Sequence, residues 1–478
     1  MALTAVAWLL FVFTVWGGGF VFLRPFPLLR AERAALGFVV GATLLPFAVF
    51  LLNTFTHAPI LGEGRWGFFF SVLLIVAIFA LMFIELFSRR KQAVRVAARG
   101  GPASVSPFHG LVRLLLWLAL VVFFYVVVEG VTKPIYGWDE FSYWLYAAKL
   151  LYLSGGASTA LSHDLYSSYP LGFPYLVAWC YHFIGTDSVS AAKWISPMIT
   201  LATLVVIERA LTRSGIRSPY ALLASVLAAW GSYLMLFYNW VAFGEMIFVD
   251  TYAIALLYAS LWLRDRRRED LILAGLMLGL STFLRVDAAY IAVFTLVVLY
   301  VANLGNASSV SLRQGLVTLA LVFIPAIIWY AFRITHHLDS GWTTRISLVT
   351  VMTRLRPPIL PSLLHSMWTT ISDLGLYPID LLLPLLIISW PFSRRRDVFF
   401  LTAVSLAQFA YLFVTYLTVF TTYEAMHASS LPRYMLRNDP LIAIAFALLL
   451  SGKGQKPGAS RRKSRSARNK RRVRSTEN

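Results

Sequence analysis

Two adjacent carboxylates are the strongest chemical signal in the sequence. They stand in the segment Gly137-Trp138-Asp139-Glu140, directly after a long apolar run. One such carboxylate can act as a general base that takes the proton of an acceptor hydroxyl, while the other orients the substrates. The alternative is structural: Asp139 caps the helix that follows, and Glu140 in its first turn interacts favourably with the helix dipole. The sequence alone leaves both interpretations open.

Two further acidic residues lie close together later in the chain. Glu245 follows a short break between two apolar runs, which predicts it at the same face as Asp139, in a position to orient substrate. Asp250 stands one turn deeper, inside an apolar run, where an unpaired charge costs about 2.5–3.5 kcal/mol if the run spans a membrane. Asp250 is therefore predicted to be paired or functional.

Arginines stand at comparable breaks in the apolar pattern. Arg285 and Asp287 interrupt the run between residues 271 and 301, and Arg433 with Tyr434 precedes the last apolar run. The planar fork of a guanidinium can hold a phosphate through two hydrogen bonds, which predicts an anionic ligand. An internal Arg285–Asp287 ion pair and a solvated loop charge are the structural alternatives.

No motif predicts a resident metal or cofactor. The single cysteine, Cys180, cannot assemble a thiolate site, and the pair His336 and His337 lacks a carboxylate at ligand spacing. The sequence leaves open whether a divalent metal ion helps to neutralise a substrate phosphate.

The composition places these residues in a membrane protein. Of the 478 residues, 59% are hydrophobic and 13% are charged, whereas soluble proteins carry about 45–50% and about 25%. The mean hydropathy is +0.70. These values exclude a soluble enzyme, a disordered chain and a secreted disulfide scaffold, and they predict an all-α polytopic membrane protein.

A span needs about 20 apolar residues, and the sequence offers about thirteen candidate runs. The candidate spans are 1–23, 34–54, 67–87, 111–131, 188–208, 219–238, 247–263, 271–284, 287–302, 314–333, 372–392, 398–420 and 436–451. The first run is too long for a cleaved signal peptide.

Alternate loops are rich in Lys and Arg, and such loops are cytoplasmic by the positive-inside rule. The basic loops are 24–33, 89–113, 209–217, 264–268 and 394–396. This predicts an external N-terminus, a cytoplasmic C-terminus and carboxylates on the outer face of a cell membrane, with the bacterial cytoplasmic membrane as the expected location.

The net charge of +20 is concentrated at the C-terminus. Residues 453–478 hold eleven Lys and Arg against one Glu, which is half of that charge. The absence of apolar periodicity predicts a disordered tail. Beside a span, such a tail is predicted to lie against anionic lipid rather than to bind nucleic acid.

Four regions are expected. They are the N-terminal transmembrane helices 1–131, an external catalytic segment 132–187, a transmembrane core 188–451 with an external loop 334–371, and the tail 452–478. Helical apolar spacing from Phe141 to Leu153 predicts a helix along the outer surface. The stretch from Tyr169 to Ile184, broken by prolines, predicts a second surface helix rather than a span.

Taken in order, the outer-face motifs resemble the GT-C superfamily of multi-spanning glycosyltransferases that use polyprenyl-phosphate sugars. That superfamily includes protein O-mannosyltransferases and the bacterial lipid A aminoarabinose transferase. The motifs are Asp139-Glu140, SYPLGFPY at 168–175, Gly185-Thr186-Asp187, Glu245, LSTFLRVD at 280–287 and LPRY at 431–434. Two features differ from the family pattern: three spans precede the one that leads into Asp139, and Glu245 stands where the family usually has Asp.

The resemblance implies a GT-C-like fold and an inverting transfer of a sugar from a polyprenyl-phosphate donor to an extracytoplasmic glycan, lipid or protein. It implies Asp139 as the base and external arginines as the phosphate ligands. The predicted site comprises the catalytic candidates Asp139, Glu140 and Glu245 and the substrate-binding candidates Arg285, Asp287, Arg433, Tyr434, Lys149 and His163. A transporter or flippase of lipid-linked sugars is the alternative, although acidic residues clustered at one face favour the enzyme.

Overall fold

A computed structural model describes residues 2–56, 109–157, 161, 169–304, 311–338, 348–373, 375–393 and 395–451. Over these ranges the chain is helical and contains no strand. The predicted span 67–87, residue His163 and the basic tail lie outside the described residues. The all-α class predicted from the composition is confirmed.

Helices form at the predicted apolar runs of the described ranges. The longer ones are α1 (Ala2–Phe22), α2 (Arg30–Thr56), α3 (His109–Thr132), then α4 (Leu145–Ser154), α5 (Gly172–Ile184), α6 (Val189–Ala192, a single turn) and α7 (Ile195–Arg213). They continue with α8 (Ser218–Trp230), α9 (Tyr233–Trp240), α10 (Gly244–Asp265), α11 (Arg268–Thr282), α12 (Ala288–Asn303) and α13 (Leu312–Thr335). The last are α14 (Leu348–Arg354), α15 (Ile359–Ile371), α16 (Leu382–Ser393), α17 (Arg396–Thr418), α18 (Thr422–His427), α19 (Leu431–Met435) and α20 (Asn438–Leu450).

Seven helices in the described ranges are long and apolar enough to cross a membrane, or eight if the pair α8–α9, bent by 62°, is one span. The chain is therefore a multi-pass membrane protein. The count of thirteen stays a prediction, because several of the expected spans, such as α12 and α16, form helices shorter than this criterion requires.

Helix α10 lies at the centre of the molecule. All of its residues from 244 to 263 are buried, and it packs against α7, α11, α17 and α20. A helix that is apolar and buried on every side belongs to the interior of a bundle. Its first turn carries Glu245, so the bundle holds that residue in a fixed place.

Small residues allow some pairs of helices to pack closely. A Cβ built on Gly41 of α2 would lie 1.8 Å from the carbonyl oxygen of Val15, and one built on Gly279 of α11 would lie 1.9 Å from that of Leu321. Each glycine belongs to a G-x-x-x-G pattern, which lets two backbones approach closely where lipid provides no hydrophobic driving force.

The predicted helix after Asp139 is confirmed. It begins with a π-helical turn, Glu140–Trp144, and continues as α4. The stretch after Tyr169 also forms a helix, α5, but its residues from Gly172 to Tyr181 are all buried against α1, α2 and α4. This helix belongs to the core of the bundle, and its predicted place along the membrane surface stays a prediction.

Candidate active site

Asp139 and Glu245 come together at one end of the bundle, here called the site end. Asp139 follows α3, Glu245 begins α10, Arg285 lies between α11 and α12, and Arg433 belongs to α19. These helices reach that end from residues far apart in sequence. The basic loop 264–268, which was predicted to be cytoplasmic, joins the opposite ends of α10 and α11, in agreement with the predicted alternation.

Three carboxylates and three arginines alternate in one continuous network. Arg433 Nη1 is bonded to Asp139 Oδ2, and Arg433 Nε lies 3.5 Å from Glu245 Oε1. The same Glu245 oxygen accepts a hydrogen bond of 2.6 Å from Arg285 Nη1. The network therefore connects α19 to the start of α10.

The inner half of the network contains Asp287. Arg285 Nε donates to Asp287 Oδ1 at 3.0 Å, and Arg437 Nη2 donates to Asp287 Oδ2 at 2.6 Å. Each oxygen of this carboxylate therefore has a guanidinium partner of its own. The internal Arg285–Asp287 ion pair, one of the two alternatives from the sequence, is present.

Tyr434 lies among the three guanidinium groups. Their central carbons are 5.2 Å (Arg285), 5.6 Å (Arg433) and 4.8 Å (Arg437) from the centre of its ring. Cation–π attraction at such distances contributes about 0.5–2 kcal/mol each. Tyr434 therefore adds to the three carboxylates in keeping the like-charged arginines close together.

Exposure falls steeply from Asp139 to the rest of the network. The side chain of Asp139 is 31% exposed, against 12% for Asp287 and 4% for Glu245. Arg433 is 19% exposed and Arg285 only 2%. Asp139 and Arg433 thus form the accessible end of a network that is otherwise buried.

Two polar atoms of this network have no hydrogen-bond partner among the described residues. They are Glu245 Oε2 and Arg433 Nε, and both are buried. Buried polar atoms are usually satisfied by protein, water or ligand. An acceptor and a donor are therefore available beside the Asp139–Arg433 pair.

The capping alternative for Asp139 is wrong. Asp139 occupies the N-cap position of the π-helical turn, but its side chain makes no capping hydrogen bond. The carboxylate is directed to Arg433 instead. π-Helical turns occur frequently at functional sites, and this one sets the direction of the residue that precedes it.

Glu140 is held in a different environment from Asp139. Its side chain has no exposed surface, Oε2 accepts from the backbone N–H of Tyr136 at 2.9 Å, and Oε1 accepts from that of Ala242 at 3.2 Å. Lys193 Nζ lies 3.3 Å from Oε1. Glu140 therefore ties the loop before Asp139 to the loop before Glu245, a role that sequence spacing did not indicate.

Lys193 was missed by the sequence analysis. Its ammonium group also donates to the carbonyl oxygens of Lys133 at 3.1 Å and Pro134 at 2.8 Å. A charged residue in the apolar stretch SAAKWISPM is the signal that could have found it. The same loop depends on Gly137, because a Cβ there would lie 2.4 Å from the ring of Phe243.

Lys149 lies in an exposed ion pair with Asp187, with Nζ and Oδ2 2.6 Å apart, rather than with the carboxylates of the network. The hydrogen bond from Lys149 holds the pKa of Asp187 below its usual range. Asp250 is paired as predicted: the hydroxyl oxygen of Thr200 lies 2.7 Å from Asp250 Oδ2 and from Asn239 Oδ1.

The described residues contain no group of three or more His, Cys, Asp or Glu side chains that could hold a metal ion. The carboxylates of the network are bound by arginines. A guanidinium group neutralises the charge of a carboxylate without a metal ion. The planar pair of N–H donors that binds a carboxylate can bind a phosphate in the same way.

Comparison with known proteins supports the fold. A scan against protein-family models and a search of the curated proteins both give no match. Among solved structures, the crystal structure of ArnT from Cupriavidus metallidurans bound to undecaprenyl phosphate superimposes with a TM-score of 0.50 at 15% sequence identity. The match covers 72% of this chain and 60% of the ArnT chain, so this protein matches less than two thirds of that structure. Over the matched part the chain has the fold of ArnT, in agreement with the fold that the motifs predict.

Proposed function

We propose that this protein is a membrane glycosyltransferase that moves a sugar from a polyprenyl-phosphate donor to an acceptor on the outer face of the membrane. One observation carries the proposal: the accessible carboxylate of Asp139 is paired with the accessible guanidinium of Arg433, within a fold that ArnT shares. A base and a phosphate ligand side by side are what a transfer from a sugar phosphate requires.

In this reaction Asp139 takes the proton of the acceptor hydroxyl as its oxygen attacks the anomeric carbon of the sugar. The new carbon–oxygen bond forms on one face while the bond to the phosphate oxygen breaks on the other, which inverts the configuration. The lipid phosphate leaves with the electron pair of that bond. Arg433 stabilises the charge that develops on the leaving phosphate, and such electrostatic stabilisation is usually the largest part of catalysis.

The remaining arginines support Arg433 rather than meeting the phosphate first. Arg285 is buried and bonded to both Glu245 and Asp287, and Arg437 is bonded to Asp287. Moving either one would take an arginine partner away from a buried carboxylate, which is costly. We assign Arg433 to the donor phosphate, and Arg285, Asp287 and Tyr434 to holding its surroundings in place.

Glu245 and Glu140 take separate roles. Glu245 has one unpartnered oxygen beside Arg433, so it can accept a hydrogen bond from a hydroxyl of the donor sugar. Glu140, which is fully buried, fixes the loop that carries Asp139 and does not meet a substrate. Lys149 stays a substrate-binding candidate, and so does His163, which lies outside the described residues. A bacterial envelope glycan, lipid or protein is the expected acceptor.

The flippase alternative is less well supported, because the charged network lies at one end of the bundle and not midway along the helices. Transporter sites lie near the middle of the membrane. Among the described residues, the network could bind a phosphate at one end of the bundle, but it does not extend along the helices to the other end.

The test is transfer in detergent, where a flippase has no two compartments to connect. Lipid-linked sugars are extracted from cells, labelled, and incubated with the purified protein and with envelope material from cells that lack it. We expect label to move to an acceptor with wild-type protein and not with Asp139→Asn. Label that stays on the lipid with active, folded wild-type protein would contradict the proposal, and equal transfer by Asp139→Asn would remove Asp139 as the base.

A further inference from the structure

A second cluster of arginines lies at the end of the bundle opposite the site. Arg264 and Arg266 end α10, and Arg395 and Arg396 begin α17. Two members have carboxylate partners: Arg264 lies 3.9 Å from Asp265, and Arg395 donates to Asp397. Arg264 and Arg395 are also brought together by the hydroxyl group of Ser451, at 3.5 and 3.2 Å.

Arg266 and Arg396 differ from that pair, because neither forms an ion pair with a carboxylate among the described residues. Arg266 Nη1 donates to the amide oxygen of Asn303 at 2.6 Å, but its Nη2 is buried without a hydrogen-bond partner in the described ranges. Arg396 Nη1 is buried and unpartnered in the same way. Two guanidinium groups therefore each hold an unused buried donor.

These two guanidinium groups lie at the same end of the bundle, since Arg266 is bonded to Asn303 of α12, and α12 packs against α17, which begins with Arg396. Burial lowers the pKa of Arg266 from its ordinary value, and the charge of Arg396 lowers it further. Adjacent like charges with unused donors are unfavourable unless an anion lies between them.

The backbone of Arg266 is also unusual. It adopts φ 57° and ψ 30°, the left-handed conformation in which a helix normally ends with glycine. An arginine there costs conformational free energy that glycine would avoid. The guanidinium is fixed nonetheless, stacked 4.8 Å from the ring centre of Trp262.

Beside this pair, α12 presents an apolar surface. Val297, Tyr300, Val301 and Leu304 are exposed along its final turns, and α12 packs against α17. Tyrosine favours the headgroup level of a membrane, which places the end of α12 at the same depth as lipid phosphates. A phosphate between the arginines would have its acyl chains beside this surface.

We propose that Arg266 and Arg396 form a binding site for the phosphate of an anionic phospholipid in the leaflet at that end, with its acyl chains along α12. Basic pockets between helix ends are known to hold such headgroups. The lipid would join the ends of α10, α12 and α17, and so would stabilise the bundle from the side opposite the site. This site is distinct from the predicted contact of the disordered tail with lipid.

The test compares phosphatidylglycerol, phosphatidylcholine and inorganic phosphate on delipidated, detergent-solubilised full-length protein, by native mass spectrometry and thermal unfolding. The key variant is Arg266→Gly, which removes the guanidinium and suits the left-handed backbone, so the fold should survive. Arg396→Gln is the second variant. Arg268→Gln, an exposed arginine in the same loop, is the matched control.

We expect wild-type protein to bind phosphatidylglycerol at least about tenfold more tightly than phosphatidylcholine, because the choline cation of phosphatidylcholine would be repelled by the two guanidinium groups. Each key variant should lose that preference and the accompanying rise in unfolding temperature, while Arg268→Gln keeps both. An unchanged preference in Arg266→Gly and Arg396→Gln would overturn the proposal, as would an equal loss in Arg268→Gln. Equal stabilisation by inorganic phosphate would also overturn it, because the site would then take a small anion rather than a lipid.

Discussion

The Asp139–Arg433 pair leads to an unusual prediction: removing the carboxylate that we propose as the base should strengthen donor binding. Arg433 is bonded to Asp139 and lies beside Glu245, and the three carboxylates balance the three arginines of the network. No positive charge is left over for a phosphate. A lipid phosphate must therefore displace a carboxylate from Arg433, and Asp139 is the more exposed of its two partners. When the donor phosphate displaces Asp139 from Arg433, the carboxylate becomes free to act as a base. Asp139 is therefore available as a base only while the donor is bound.

The size of the effect follows from the exposure of the pair. A hydrogen bond between charged groups contributes about 1.5–3 kcal/mol when it is well shielded from water. With side chains 19% and 31% exposed, solvent screening reduces the interaction to ~1 kcal/mol. Asp139→Asn keeps the shape of the side chain but not its charge, so undecaprenyl phosphate should bind about fivefold more tightly.

Affinity is measured by native mass spectrometry or by thermophoresis with purified wild-type protein and Asp139→Asn. Sugar transfer is assayed in parallel and should fall at least about a hundredfold, the usual contribution of a general base. Asp187→Asn is the matched control, since it removes an exposed carboxylate that pairs with Lys149 instead. If Asp139→Asn binds undecaprenyl phosphate no more tightly than wild type, the competition for Arg433 does not exist.

Three further predictions follow from the same contacts. Glu140→Gln leaves Lys193 buried without its counter-ion, so the free energy of unfolding should drop by about 3 kcal/mol in a chemical denaturation series; an unchanged midpoint would contradict this. Arg433→Lys keeps the charge but loses the planar fork, so donor affinity should fall about tenfold in the same binding assay, and equal affinity would remove Arg433 from the site. In a background without the native cysteine, Tyr423→Cys should react with an impermeant reagent in intact cells and Arg209→Cys only after permeabilisation, and the reverse pattern would invert the orientation.

Which residues share one end of the bundle was predictable, because charged residues mark the breaks between apolar runs and successive spans run in opposite directions. Residues 139, 245, 285 and 433 were all predicted at one face, and the structure joins them in one network. Glu32, Arg213 and Asp270, which also stand at breaks in the apolar pattern, form a second ion network at the opposite end.

Burial was harder to predict. The stretch from Gly172 to Ile184 is short and contains prolines, which suggested a helix at the surface. In the fold it packs in the core, where the backbone N–H of Gly172 donates to the carbonyl oxygen of Phe283 at 3.1 Å. A Cβ on Gly172 would lie 2.5 Å from that oxygen. A short apolar helix is buried only if segments from elsewhere in the chain pack around it. The periodicity of its own sequence carries no information about those segments.

Asp139 and Glu140 show that burial could not be predicted within the site either. They are adjacent, equally acidic and equally able in principle to remove a proton, so residue type and spacing could not separate their roles. The π-helical turn directs one carboxylate to Arg433 and the other to Lys193 and backbone N–H groups. A fully buried carboxylate that is bonded on both oxygens cannot meet an acceptor hydroxyl, whereas a partly exposed one can once its arginine is engaged elsewhere. Exposure, a property of the packed chain, therefore makes Asp139 the candidate base and leaves Glu140 to position it.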